Sequence, residues 1–261
     1  MPVVIDQTGQ HLSIDHPPQR IISLVPSQTE LLFDFGLDKE VVGITKFCIH
    51  PQAWFRTKTR VGGTKQLRME VIADLRPDLI IANKEENVRE QVEALQKNYR
   101  VWVTDVNDLD TALDMIVGIG NIVDKKEAAA AIATKIGENF ANLPVIADKP
   151  RVAYLIWQNP LMTVGGDTFI HSMLDRAGFE NVFKNKTRYP EITTAELQEA
   201  RPDFVLLSSE PFPFNEKHIA ALQPLLPKSQ IILVDGEIFS WYGTRMLTAP
   251  SSFGQLREQI K

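Results

Sequence analysis

Two stretches of the chain carry the same signature, and this duplication constrains the fold more than any other feature. An arginine opens an apolar run at Arg20-Ile21-Ile22-Ser23-Leu24-Val25, and again at Arg151-Val152-Ala153-Tyr154-Leu155-Ile156. Each run is followed by a second pattern, Ile72 to Ile81 and Leu197 to Leu206, that turns at Arg-Pro-Asp, residues 76–78 and 201–203. The copies are offset by 131 residues at the arginine and 125 at Arg-Pro-Asp. That is one duplicated domain, because solenoid repeats recur every ~20–50 residues. Between the copies lies Asp124 to Leu143, DKKEAAAAIATKIGENFANL. Its alanines carry little entropic cost in a helix. Ile132, Ile136 and Phe140 form one apolar stripe. Asp124 with Glu127 reads as a capping box, and Pro144 and Pro150 bracket the exit. About 20 residues at ~1.5 Å each span roughly 30 Å. The expectation is an α/β fold of two similar lobes with mainly parallel sheets, 1–122 and 148–261, bridged by one long helix in 123–147, with a ligand cleft between them.

Strands and helices alternate along both halves. Val3 to Ile14 reads as a hairpin about Thr8-Gly9-Gln10. Arg20 to Val25, Val41 to Thr45, Leu79 to Ala82 and Val101 to Thr104 read as strands. Ser27 with Glu30 reads as a capping box for a helix over Gln28 to Phe35, closed by Gly36. Met69 to Leu75, Asn87 to Lys97 and Asp110 to Val123 read as helices. In the second half Val152 to Ile156, Phe204 to Leu207 and Ile231 to Val234 read as strands. Helices are expected up to Ala177, capped by Asp167 or Thr168, over Ala195 to Ala200, capped by Thr193 or Thr194, and over Thr248 to Ile260. Alternation of this kind makes parallel sheets covered on both faces. Ligands then sit beyond the carboxyl ends of the strands. Those ends are Pro26-Ser27, Asn83 to Asn87, Trp157 to Pro160 and Ser208 to Phe214.

Large flat side chains crowd these loops: Phe47 and His50, Trp157, Tyr189, Phe212, Phe214, Phe239, Trp241 and Tyr242. Gln158, Asn159, Glu85, Glu86, Glu210 and Glu237 stand among them. Rings with a few polar groups suit a bulky, flat, partly apolar ligand. The plainer alternative is that the rings plug the cores. Trp102 and Phe204 lie inside strand patterns and read as core, whereas Phe212-Pro213-Phe214 and Trp241-Tyr242 lie among Pro, Ser and Gly.

Other classes find less support. Hydrophobic residues make up 44% of 261, enough for two cores, yet no apolar run reaches the ~18 residues that suggest a membrane span. A net charge of −5 and a pI near 5.6 argue against a nucleic-acid partner. The single cysteine, Cys48, excludes an internal disulfide. No two of His11, His16, His50, His171 and His218 have metal-ligand spacing, so no resident metal is expected. Gly62-Gly63-Thr64-Lys65 lacks the phosphate-loop spacing, and no Gly-x-Ser-x-Gly elbow occurs. Pairing Ser208 or Ser209 with His171 or His218 as a hydrolase has no spacing to support it, so no catalytic set and no enzyme are expected. Met1-Pro2 runs into polar Asp6-Gln7-Thr8-Gly9-Gln10, which does not read as a secretory signal. Taken literally this predicts a cytosolic binding or sensing protein without a permease. A signal removed before residue 1 is the other reading.

Several motifs in order then point to a family. They are Pro18 to Ser27 with Thr29-Glu30-Leu31-Leu32 and Gly36, Val61-Gly62-Gly63 leading to Glu70, and the two Arg-Pro-Asp turns with Ala177-Gly178-Phe179-Glu180-Asn181-Val182-Phe183. Together they resemble the substrate-binding proteins of bacterial ABC importers for cobalamin and ferric siderophores, from Arg20 onward. The resemblance implies a non-enzymatic, periplasmic or extracytoplasmic, monomeric receptor with no intrinsic cofactor. It would capture a metal chelate, a corrinoid first, with haem and ferric siderophore as alternatives. It places His50, Thr64, Asn83, Trp157, Tyr189, Glu237 and Trp241 at the ligand. Cobalamin binders carry an aromatic where this chain has Thr64 and an acid where it has Glu237. The family docks on its permease through one acid per lobe. Glu70 matches the first, while the second falls at Ala195, beside Glu196. On an ideal helix that neighbour is rotated by ~100°. The plainer reading of both glutamates is a first-turn acid favoured by the helix dipole.

Overall fold

The computed structural model describes residues 3–260. The chain forms two compact units. Unit 1 holds the chain up to Val106, Asp110–Gly137 and Tyr242–Thr244; unit 2 holds Asn107–Leu109, Glu138–Trp241 and the chain from Arg245.

In unit 1, strands β1 (Val3–Ile5) and β2 (His11–Ser13) make the expected antiparallel hairpin. Then come β3 (Ile21–Ser23), α1 (Pro26–Asp34), β4 (Val41–Ile44), α2 (Gln52–Thr57), β5 (Thr59–Arg60), β6 (Gly62–Gly63) and β7 (Gln66–Leu67). They are followed by α3 (Met69–Leu75), β8 (Leu79–Asn83), α4 (Arg89–Gln96), β9 (Val101–Thr104), α5 (Leu109–Ile122) and α6 (Lys126–Ala141). The sheet runs β5-β4-β3-β8-β9 with every pair parallel. Strands β3, β4, β8 and β9 are largely buried on both faces, as helices covering both sides require. Ile22, Leu24, Ile72, Ile80, Val92, Leu95 and Val101 share one core.

Unit 2 contains β10 (Arg151–Trp157), β11 (Leu161–Thr163), α7 (Phe169–Arg176), β12 (Glu180–Asn181), β13 (Glu191–Ile192) and α8 (Thr194–Ala200). After these come β14 (Phe204–Ser208), α9 (Glu216–Leu222), β15 (Gln230–Val234), α10 (Glu237–Ser240) and α11 (Ala249–Gln259). Strands β10, β14 and β15 are parallel neighbours, matching β3, β8 and β9. The duplication is incomplete beyond them. Where unit 1 sets β4 parallel to β3, unit 2 folds β11 back antiparallel on β10 and adds β13 antiparallel to β11. A turn at Gln158-Asn159-Pro160, with Asn159 at φ 63°, makes that reversal in three residues. Strands β11 and β13 are too short to show alternation.

The repeated Arg-Pro-Asp is a structural clasp. Arg76 and Arg201 both stand at φ 46°, closing α3 and α8 in the left-handed region, and the following proline prevents further helix. The Asp78 carboxylate accepts from the N–H groups of Gln19 and Arg20 at 2.7 and 2.9 Å, and Asp203 accepts from that of Arg151 at 2.8 Å. The arginine side chains complete the clasp: Arg20 donates to Leu75 O and Arg151 to Ala200 O. Each copy thereby fixes the start of its central strand to the end of a covering helix.

Two expected caps are replaced. Helix α1 begins at Pro26, which needs no N–H partner and has its φ preset, so Ser27 is the second helical residue. Its hydroxyl is buried without a hydrogen-bond partner among the described residues, and no box forms with Glu30. Asp124 does not cap α6. It takes φ 58° and ends α5, with the Lys125 N–H returning to Gly120 O at 2.8 Å, so Glu127 has no box to complete. Helix α6 is therefore shorter than read, 16 residues or ~24 Å. The chain leaves unit 1 after Gly137, within this helix.

Candidate ligand-binding site

The candidate residues stand at the carboxyl ends of the strands of each unit. In unit 1, Asn83 ends β8 and is fully engaged. Its amide N–H groups donate to Thr104 O and Oγ1 at 3.2 and 3.1 Å, while its Oδ1 accepts from the N–H groups of Glu85 and Glu86. Asn87 supports the same turn, accepting from Asn83 N and donating to Leu24 O and Thr64 O. Asn83 is thus buried as the organiser of the 83–87 loop, and the half-buried Thr64 gives its carbonyl to that network. Glu86 accepts from the Tyr242 hydroxyl at 2.8 Å. The loop after β4 keeps His50 half-buried and leaves Phe47 50% exposed.

In unit 2, Trp157 ends β10 with 39% of its surface exposed, its ring edge-on to Phe212 at 5.6 Å. Phe212 rests on Phe214 and His218, which also touch each other. His218 is buried because its Nδ1 accepts from Asn215 N in the cap of α9. Tyr189 is half-buried. Glu210 is the hub of the remaining rings. Its carboxylate accepts from Trp241 Nε1 at 2.8 Å and from Ser240 Oγ at 2.5 Å. Burial raises its pKa, against the lowering effect of Ser240. Arg245 stacks over the Trp241 ring at 4.8 Å and pairs with Glu237 at 2.6 Å.

Sequence reasoning therefore misjudged several rings. Phe214 belongs to the unit 2 core, Phe239 packs between Tyr154 and Phe253, and Trp241 and Tyr242 are buried. Pro, Ser and Gly around them marked irregular backbone, which here turns inward, rather than exposed side chains. Trp102 is core as expected, whereas Phe204 is only partly buried. Glu237 is held by Arg245, a pairing between the start of α10 and the turn after it that no helical spacing announces.

The hydrolase pairing is not assembled. Ser208 donates to Glu210 O and accepts from the Tyr154 hydroxyl. His171 lies at the other end of the sheet, beside Asn181, lining a groove of about 530 Å³ with Arg151 at the start of β10 and Asp203 just before β14. Among the described residues no group of three His, Cys, Asp or Glu is placed to hold a metal.

Both proposed docking acids stand in first helical turns. Glu70 is exposed on α3 and paired with Arg68 at 3.2 Å. Glu196 has a local task. It completes the capping box with Thr193, accepting from its N–H at 2.7 Å, and pairs with Lys186 at 3.0 Å. The Thr193 N–H, then Lys186, lower its pKa to about 2. Since this lies below the ordinary 4.5, the stabilisation is complete above that pH and is lost as pH falls towards about 2. Glu196→Gln should flatten that limb of the plot of melting temperature against pH. An identical acid limb in both proteins would remove the cap from the account.

Residues 21–223 match the periplasmic binding protein family. The vitamin B12-binding protein of Vibrio vulnificus is 26% identical over 205 residues, covering 74% of this chain and 72% of that one. The crystal structure of the periplasmic vitamin B12 binding protein BtuF of Vibrio cholerae has a TM-score of 0.78 at 21% identity, covering 94% of this chain and 98% of that one. The periplasmic heme-binding protein BhuT in complex with two hemes gives 0.79 at 23%, covering 94% and 98%. These structures share the fold while their names give different ligands. The family match spans most of the chain, and the twin α/β units agree with it: the chain belongs to the periplasmic binding protein family.

Proposed function

We propose that this protein is a non-enzymatic receptor that captures a metal-chelate nutrient, a corrinoid first, and delivers it to an ABC importer outside the cytoplasm. The observation that carries the ligand class is Trp157, a large ring left open at the carboxyl end of a central strand and braced by Phe212. A braced ring offers flat apolar area with little ordering cost on binding. The relatives named for vitamin B12 support the corrinoid. His50, Thr64, Tyr189 and Glu237 are the further candidate contacts, while Asn83 and Trp241 act by holding their loops in place. Glu70 is the better placed docking acid, since Glu196 is engaged in its cap.

One feature favours haem or a ferric siderophore as the second reading: Thr64 offers no ring where the resemblance puts an aromatic in cobalamin binders. A single titration separates the readings. Purified protein is mixed with aquocobalamin, haemin and a ferric hydroxamate, and the visible spectrum of each is followed. Saturable band shifts with aquocobalamin are expected, and shifts with haemin or the hydroxamate alone select the second reading. No change with any of the three, and no binding heat, would end the proposal.

A further inference from the structure

Resting on that reading, we infer that the α2–β5 border of unit 1 is a docking surface for anionic phospholipid headgroups, with Arg56 and Arg60 as its principal cations. The charge of the chain is segregated. From Val41 to Met69 it carries six Lys or Arg and no Asp or Glu, whereas the remaining residues carry 22 cations against 33 acids. The fold gathers this stretch at one border of unit 1. Strand β5 is the terminal strand of its sheet, paired with β4; α2 leads directly into it, and the β6–β7 hairpin follows. The duplication supplies no copy of this border, because the unit 2 sheet continues past β10 through the antiparallel β11 and β13.

The side chains are arranged as cations over rings. The Arg60 guanidinium lies 4.4 Å from the centroid of the half-buried Phe55 ring, and the Lys58 ammonium 5.2 Å from that of Trp54. Phe33 meets Trp54 edge-on at 5.3 Å and is itself exposed. Among the described residues Asp38 pairs with Lys58 at 3.4 Å, while Arg56, exposed in the last turn of α2, has no acid partner. A bilayer interface favours this combination: rings sit at headgroup depth, and a guanidinium takes phosphate through two parallel hydrogen bonds. Lys and Arg on an edge strand also deter other strands from pairing. That accounts for Lys58 and Arg60. It does not account for Arg56 on a helix, or for an acid-free run that continues through Lys65 and Arg68.

Lipid is favoured over other anions on two grounds. A nucleic acid or other long polyanion would also meet the acidic remainder of the chain, whereas a bilayer needs only one border. The basic run also ends at Glu70, the acid proposed to meet the permease, and Arg68 pairs with it at 3.2 Å. A protein docked there is held beside the surrounding bilayer, where Lys and Arg are drawn to anionic headgroups. Permease arginines facing Glu70 would repel this border.

The test uses the full chain and sedimentation with vesicles of phosphatidylcholine, with or without phosphatidylglycerol. Binding only to the vesicles with phosphatidylglycerol is expected, weakening ~10-fold between about 20 and about 200 mM salt. Arg56→Gln and Arg60→Gln should each weaken it ~5-fold and together ~25-fold, with chelate binding unchanged. Arg56→Gln should keep the native melting temperature, so it carries the test even if Arg60→Gln, which loses its stack on Phe55, melts lower. Lys126→Gln removes an exposed cation of α6, outside the run, and should leave vesicle binding unchanged. No binding to either vesicle, equal binding to both, or an equal loss in Lys126→Gln overturns the surface. Tighter binding to heparin than to the vesicles overturns lipid as its occupant. A protein that binds a chelate but no vesicle loses this surface and keeps the receptor reading. One that binds vesicles through Arg56 but no chelate keeps the surface and loses the receptor reading.

Discussion

Replacing Trp241 with alanine should lower the unfolding free energy by about 3–5 kcal/mol, the range for removing a buried tryptophan. Only 6% of the residue is exposed, so nearly the whole ring volume becomes a cavity. Two further losses act in the same direction. Arg245 loses the face it stacks on, and the Glu210 carboxylate loses its indole N–H donor. Glu210 is already costly as an anion: burial holds its pKa above the ordinary 4.5. A raised acid pKa contributes stability below the unfolded value, and that contribution fades as pH rises through the folded one. Removing the donor raises the pKa further, so the loss should be larger at pH 7 than near pH 5. Urea unfolding followed by circular dichroism at both pH values measures this. Trp241→Phe separates volume from hydrogen bond, since it keeps most of the ring and drops the donor. A Trp241→Ala protein within about 1 kcal/mol of native would show that the ring fills no core position.

The reach of sequence reasoning here follows from which forces are local. Strand and helix periods come from burial of neighbouring side chains, so α3 over Met69–Leu75 and β9 over Val101–Thr104 match the reading to the residue. Of the two expected caps for α8, Thr193 or Thr194, Thr193 is the one used, in a capping box with Glu196. The Arg-Pro-Asp repeat was visible, but its work was not. Asp78 and Asp203 act on strands 58 and 52 residues away, through main-chain groups that carry no sequence signal. Cap assignments failed where two signals competed. Pro26 outranked Ser27 as the helix start, and the end of α5 claimed Asp124 before α6 could. The aromatic loops failed differently. Trp157 and Trp241 look alike in sequence in one respect, since each directly precedes turn residues. What separates them is a single buried acceptor, Glu210, which draws one indole inward. Phe212 braces the other edge-on, and 39% of that residue stays exposed.

That contrast sets the second large expectation. Trp157→Ala should weaken chelate binding by about 2–3 kcal/mol, roughly 30- to 150-fold in Kd, as for a central aromatic anchor at an interface. Its effect on stability should be small, because 39% of the residue is exposed and its ring meets that of Phe212 edge-on. Trp157→Phe should recover much of the affinity, since it keeps a ring of similar stiffness at the end of β10. Visible titration with the chelate that the native protein binds gives the affinities, and thermal unfolding without ligand gives the stabilities. The paired readout decides between two roles for the ring. Lost affinity with unchanged melting makes Trp157 a ligand contact. Unchanged affinity with lowered melting makes it a lid on the Phe212-Phe214-His218 cluster, and the ligand then has to be sought at the unit 1 strand ends, around Phe47 and His50.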